Sequence, residues 1–236
     1  RERAGGRVRT GVRGRTGGRE RTGVRGRAGG RGRTGGWERK GATLLTLDKD
    51  HVYRWKGEEV PGVTGVIGDL GFYPPYCGTG PRDMGLAIHK MVDLYNAREL
   101  DEGATSLPLL PYLEGYKMFE ADVQPEIVMS ERAVYSPERE YAGTLDIVAR
   151  VRDEMWLLDI KRTSGDPPPC TGMQLSAYDA LASTLELKIG RRFALRLMPG
   201  KYKLIEYGDE LPDFLAALRV WKRLKREGRL ARKGEN

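Results

Sequence analysis

At residue 127 the spacing of apolar side chains changes from a helical period to strict alternation, and nothing else in the chain constrains the fold as tightly. Upstream, residues 84–99 (MGLAIHKMVDLYNARE) carry apolar side chains at 84, 88, 91/92 and 95. Residues 111–122 place Tyr112, Tyr116 and Phe119 on one side, so both segments are predicted helices. Downstream, IVMSERAVY (127–135), YAGTLDIVARV (141–151) and EMWLLDIKR (154–162) alternate with the period of a strand. Residues 171–187 return to helix, RRFALRLM and KYKLIEY make a hairpin around Pro199-Gly200, and residues 210–227 form a last helix. This order of elements defines an α/β domain with a central mixed sheet flanked by helices. Ahead of it, residues 42–60 are expected to form two short strands with Lys56-Gly57 at a turn. Thr64 is placed to N-cap a short helix ending near Gly68 or Gly71, and residues 72–83 read as a Pro/Gly-rich loop.

The charge is unevenly spread. Residues 1–36 are six copies of an Arg-x-Arg-Ala/Thr-Gly-Gly/Val hexapeptide, with 12 arginines against 2 glutamates. That tail carries +10 while the whole chain is +8, so residues 37–236 carry −2. A basic isoelectric point therefore argues nothing about the folded part. With no apolar periodicity and like charges at every second position, residues 1–40 are expected to be a disordered tail, and residues 41–236 a single domain. Two readings of the tail stay open: an arm that tracks a phosphate backbone without sequence preference, or a dispensable extension. The basic run near the end (Arg219, Lys222, Arg223, Lys225, Arg226, Arg229) falls on several helix faces and reads as solvated surface. Only Cys77 and Cys170 occur, too few for a four-cysteine zinc or iron–sulfur site within one chain. No run approaches the length of a membrane span, so a cytoplasmic protein without membrane contact is the expectation.

The informative residues are GTLD at 143–146 and LDIK at 158–161, each an acid on an apolar strand. A carboxylate there is costly unless a cation or partner offsets it. If Val151 faces Glu154 across a turn at Arg152-Asp153, stepping back along both strands brings Asp146 directly opposite Asp159. Directly paired residues share a face with Cβ atoms about 5 Å apart, where two like charges call for a cation between them. Lys161, two residues beyond Asp159, emerges on that face as well. The plainer alternative is a hairpin with one Lys–Asp salt bridge.

GTLD, then LDIK, then QLSAY (174–178) on the following helix, preceded by a helical Gly-x-x-x-His at Gly85–His89, resembles the RecB-type nucleases of the PD-(D/E)XK superfamily. The resemblance spans roughly residues 51–207, and VPGVT at 60–64 is similar to the start of the phage and mitochondrial single-strand exonucleases of that branch. It implies a restriction-endonuclease-like core. By resemblance, His89, Asp146, Asp159 and the Ile160 carbonyl are the metal ligands, and Lys161 orients the attacking water and neutralises the scissile phosphate. Gln174 and Tyr178 support the site or contact the substrate backbone, and Glu131 is a further candidate for the metal's surroundings. His89 as a solvent-facing helix residue, and Gln174 and Tyr178 as packing between helix and sheet, remain alternatives. Oxygen ligands with one imidazole suit Mg²⁺ or Mn²⁺. The implied activity is a metal-dependent DNA exonuclease acting on single strands or duplex ends in phage or host recombination and repair, with a single-strand annealing protein as a possible partner. A structure- or sequence-specific endonuclease on the same fold is the first alternative, and a non-catalytic nucleic-acid-binding protein led by the tail is the second.

Overall fold

A computed structural model describes residues 44–48, 51–73, 80–162 and 165–230. The hexapeptide repeats, Cys77 and residues 74–79 of the loop expected at 72–83 lie outside them, and residues 80–83 of that expected loop are the first turn of a helix. Three short strands, β1 (Leu45–Leu47), β2 (Tyr53–Trp55) and β3 (Glu58–Val60), make a small antiparallel sheet where the sequence suggested two. Lys56 and Gly57 take φ values of 53° and 90°, the two left-handed positions that a tight hairpin turn requires. Helix α1 (Val63–Asp69) follows. Its N-cap is Gly62 with no side-chain cap, not Thr64 as expected. The helix begins early because Pro61 is fixed in place, its carbonyl accepting from Ala142 N at 2.8 Å.

Helices α2 (Gly80–Asn96) and α3 (Leu110–Val123) come next, then strands β4 (Glu126–Ser136), β5 (Tyr141–Val151) and β6 (Glu154–Lys161). Helix α4 (Thr171–Ala182) crosses over to β7 (Arg191–Met198), which turns into β8 (Lys201–Tyr207), and α5 (Leu211–Arg226) closes the chain. The main sheet has the order β4-β5-β6-β7-β8, with β6 and β7 parallel and every other pair antiparallel. A parallel step needs a covered crossover, and α4 supplies it. The fold is thus mixed α/β with a central mixed sheet and helices on both faces.

The two faces bury separate cores. Leu145, Val148 and Leu157 pack with Leu175, Leu181 and Phe214 under α1, α4 and α5. Ile147, Leu158, Ile160 and Phe193 pack with Ile88, Val92, Tyr116 and Phe119 under α2 and α3. Two glycines allow close approach. A β-carbon at Gly143 would sit 2.7 Å from Tyr178 Cε1 of α4, and one at Gly115 only 2.6 Å from the Lys201 carbonyl oxygen. The glycine of GTLD is therefore there to let α4 lie flat against β5.

Candidate active site

Alternation fails at one point, and the acids gather there. Leu145 and Val148 face the α4 core while Ile147 and Ala149 face the α2/α3 core. An unbroken strand would put Leu145 and Ile147 on one side. The β4–β5 ladder pairs Ser130 with Ile147 and Arg132 with Leu145, passing over Glu131 and Asp146 between them. Glu131 has φ 46°, a left-handed conformation that a glutamate adopts only under constraint. This irregularity turns both carboxylates toward α2.

On α2, Ile88, Met91 and Val92 anchor the helix in the core and fix the direction of His89. Its Nδ1 lies 3.1 Å from Glu131 Oε1 and 3.4 Å from Asp146 Oδ2, and its Nε2 lies 3.1 Å from the Ile160 carbonyl oxygen. The Ile160 carbonyl can only accept, so Nε2 donates to it, and the acids around Nδ1 favour a proton there as well. Burial by itself lowers the affinity of His89 for its second proton, but the Asp146 charge, the Glu131 hydrogen bond and charge, and the Asp159 charge outweigh it and push the pKa up to about 9. Burial also raises the Asp146 carboxyl above its usual range, against the lowering effect of His89 and with Asp159 and Glu131 adding to the rise. One ligating atom from each of His89, Glu131 and Asp146 lies within 4.8 Å of the others. One imidazole, two carboxylates and a carbonyl are a donor set for a hard divalent cation.

Asp146 and Asp159 do not face each other as a ladder pair. The expected register holds from Val151–Glu154 to Ile147–Leu158 and stops there. The Asp146 carboxylate instead accepts from Ile160 N at 2.7 Å, binding the backbone of β6. Asp159, 1% exposed, turns to the α4 face. There Lys161 Nζ lies 2.6 Å from its Oδ2, and Gln174 Nε2 donates to its Oδ1 at 2.7 Å. The other end of the same amide accepts from Lys161 Nζ at 3.0 Å, so Gln174 spans the acid and the ammonium. Gln174 Nε2 also donates to Tyr178 Oη at 3.2 Å. The structure thus brings His89, Glu131, Asp146 and the Ile160 carbonyl into one group and Asp159, Lys161, Gln174 and Tyr178 into another, joined through the β6 backbone. Tyr73, which sequence reading did not single out, donates its hydroxyl to Gln174 Oε1 at 3.0 Å, and Tyr53 Oη lies 2.7 Å from Thr144 Oγ1 of GTLD. Both tyrosines sit in weakly patterned stretches that give no advance sign of the contact.

No protein-family model matches the chain, and no curated protein does. Among solved structures, a protein of Eubacterium rectale provisionally assigned as an exonuclease is similar with a TM-score of 0.46 and 11% identity, over 73% of this chain and 83% of its own. The alkaline exonuclease LHK-Exo of Laribacter hongkongensis is similar with a TM-score of 0.37 and 13% identity, over 72% of this chain and 93% of its own. The same enzyme in complex with dAMP aligns with a TM-score of 0.37 and 16% identity.

Proposed function

We propose that this protein is a metal-dependent DNA nuclease of the RecB-type branch of the PD-(D/E)XK superfamily, acting as an exonuclease. One observation carries the reading: two buried strand acids, a lysine two residues beyond one of them, and a histidine brought in from a separate helix converge where β5 and β6 part. A structural ion pair needs one cation and one anion, whereas here three carboxylates gather around one imidazole and one ammonium. That excess of negative charge is what a divalent cation would relieve.

His89, Glu131, Asp146 and the Ile160 carbonyl would hold the ion, with Asp159 close enough to add its charge. A Mg²⁺ or Mn²⁺ there would acidify a bound water and neutralise the scissile phosphate. The chain's own groups do the rest. Gln174 and Asp159 together fix the position of the Lys161 ammonium, which would meet a phosphate oxygen of a bound strand. Asp146, by binding Ile160 N, keeps the adjacent carbonyl turned toward His89. Tyr73 and Tyr178 hold the Gln174 amide from two sides and fix which end meets the acid.

The test is cleavage of circular and linear, single- and double-stranded DNA with Mg²⁺, Mn²⁺ or EDTA. Release of mononucleotides or short oligomers from linear DNA, with circles spared and EDTA blocking the reaction, is the expected result. Cleavage of closed circles would make the enzyme an endonuclease, and no cleavage of any substrate with either metal would overturn the reading. A place in recombination or repair, beside a single-strand annealing protein, is the role such an activity would serve.

A further inference from the structure

Lys161 begins a line of positive charge that two further residues continue. The register aligns Lys161 of β6 with Arg196 of β7, and Arg196 with Lys203 of β8. Residues aligned on neighbouring strands leave the sheet on one face, with strands about 4.8 Å apart. Three cations therefore stand in a row across the α4 face, starting at the ammonium that Gln174 and Asp159 hold. Like charges on adjacent strands destabilise a sheet.

The two ends of the row are balanced differently. Buried Asp159 serves the inner end. At the outer end Asp166, 71% exposed, places Oδ1 3.1 Å from Lys203 Nζ and 3.5 Å from Arg196 Nη1. Lys203 is itself 51% exposed, so this is a solvated pair whose carboxylate another anion can replace at small cost. Arg196, 12% exposed, is a guanidinium, whose planar donor fork suits a phosphate.

We propose that Lys161, Arg196 and Lys203 form a track for the backbone of the bound DNA strand, and that Asp166 occupies the place of one of its phosphates until the strand arrives. The track rests on the nuclease reading. If the reacting phosphate lies at Lys161, its covalent neighbours must follow some path away from it, and the aligned cations give that path. A polyanion tied to the reacting group fits the row better than an unconnected acidic partner, which would have no reason to begin at Lys161.

The experiment measures binding of a labelled single-stranded oligonucleotide in Ca²⁺ across a range of salt, with cleavage in Mg²⁺ followed in parallel. Wild type is compared with Asp166→Asn, Lys203→Ala and Lys203→Arg. Asp166→Asn should tighten binding, on the order of two- to fivefold, because it removes a competitor worth a weak surface pair. Lys203→Ala should weaken binding and flatten the logarithmic salt slope by about 0.7, and Lys203→Arg should restore both. The apparent KM should move with affinity while kcat stays constant. Binding by Asp166→Asn that is unchanged or weaker would make Asp166 a structural latch and overturn the proposal. A wild type that cleaves DNA while Lys203→Ala keeps the full salt slope would overturn the track and leave the nuclease reading standing. A wild type that neither binds nor cleaves would remove both.

Discussion

Gln174 and Asp159 are joined by a 2.7 Å hydrogen bond between two buried side chains, one on α4 and one on β6. The bond matters because the same amide accepts from Lys161, so a single side chain sets the spacing of the two residues on which the proposed chemistry rests. Reversing the amide would point its NH₂ at an ammonium and its carbonyl at a carboxylate, so the network admits one orientation. Asp159→Asn keeps the shape and the acceptor for Gln174 while removing the charge. It should cut cleavage by at least about a hundredfold, with DNA binding close to wild type. Gln174→Leu should lower kcat by less, because Lys161 and Asp159 still touch each other. Equal rates for wild type and Asp159→Asn, measured on linear DNA, would dismiss the site.

The protonation of His89 gives a pH signature. Its metal-free pKa of about 9 lies above the ordinary 6.5, so the stability it contributes is complete below about pH 6.5 and is lost as pH rises through about 9. The raised Asp146 carboxyl acts with the same sign, its contribution fading as pH climbs above its usual range. The metal-free protein should therefore melt at a lower temperature at pH 9 than at pH 6. A cation that uses a ring nitrogen must displace a proton, so its apparent affinity should rise up to tenfold per pH unit below pH 9 and level off above. His89→Ala should abolish that slope. Superimposable metal titrations of wild type and His89→Ala at pH 7 and pH 9 would show that the ring is a bystander.

Glu131 bears on stability and function in opposite directions. Its φ of 46° costs a β-carbon-bearing residue about 1 kcal/mol or more, which glycine avoids. Glu131→Gly also removes a like charge beside Asp146 but loses the contact with His89 Nδ1, so without metal it should melt close to wild type. It should, however, need several-fold more Mg²⁺ for half-maximal cleavage. A variant that melts much lower and keeps the wild-type metal requirement would make the carboxylate a purely structural partner of His89.

Gly143→Ala tests the close approach of α4. The added carbon would meet the Tyr178 ring at 2.7 Å and the Leu181 side chain at 3.0 Å. Overpacking of this kind costs about 1–3 kcal/mol, and relieving it moves α4 away from β5. Gln174 travels with the helix, so the variant should lose activity as well as melting temperature. Thermal unfolding and cleavage rates measured on the same preparation would reveal whether the two losses occur together.

Deleting residues 1–36 removes a net +10 from the chain. If the tail meets DNA, the salt dependence of binding should become shallower while turnover at saturating DNA barely changes. An unaltered salt slope in the shortened protein would show that the tail takes no part.

Much of the fold was legible because burial writes itself into periodicity. Strands β4 to β8 and helices α2 to α5 follow the apolar spacing, and the β5–β6 register follows from a two-residue turn at Arg152-Asp153. Arg152 takes φ 55° there, a conformation its side chain does not advertise. The site was legible in its residue types and less so in their arrangement. Stepping back along β5 and β6 from Val151 and Glu154 places Asp146 opposite Asp159 only if the ladder continues unbroken, and it ends at Ile147 and Leu158. The break at Asp146 lies across the ladder from Glu131, and a glutamate at a left-handed position looks like any other strand residue. Thr64 was a reasonable cap by type, but the hydrogen bond from Ala142 to Pro61, far apart in sequence, set the helix start instead. Long-range contacts of this kind, like Tyr73 on Gln174, leave no local mark.

The parallel pairing of β6 with β7 has a consequence for the time course of folding. Strands β4, β5 and β6 are linked by tight turns and can zip together while the rest of the chain is still unfolded. Strand β6 then exposes an open edge until α4 has crossed the sheet and delivered β7. Such a non-local step closes a long loop before any contact rewards it, and it is slow for that reason. Gln174 rides on that crossover, so Asp159 and Lys161 acquire their common tether only in the last stage of collapse. Refolding followed by tryptophan fluorescence should therefore run ahead of the return of enzymatic activity.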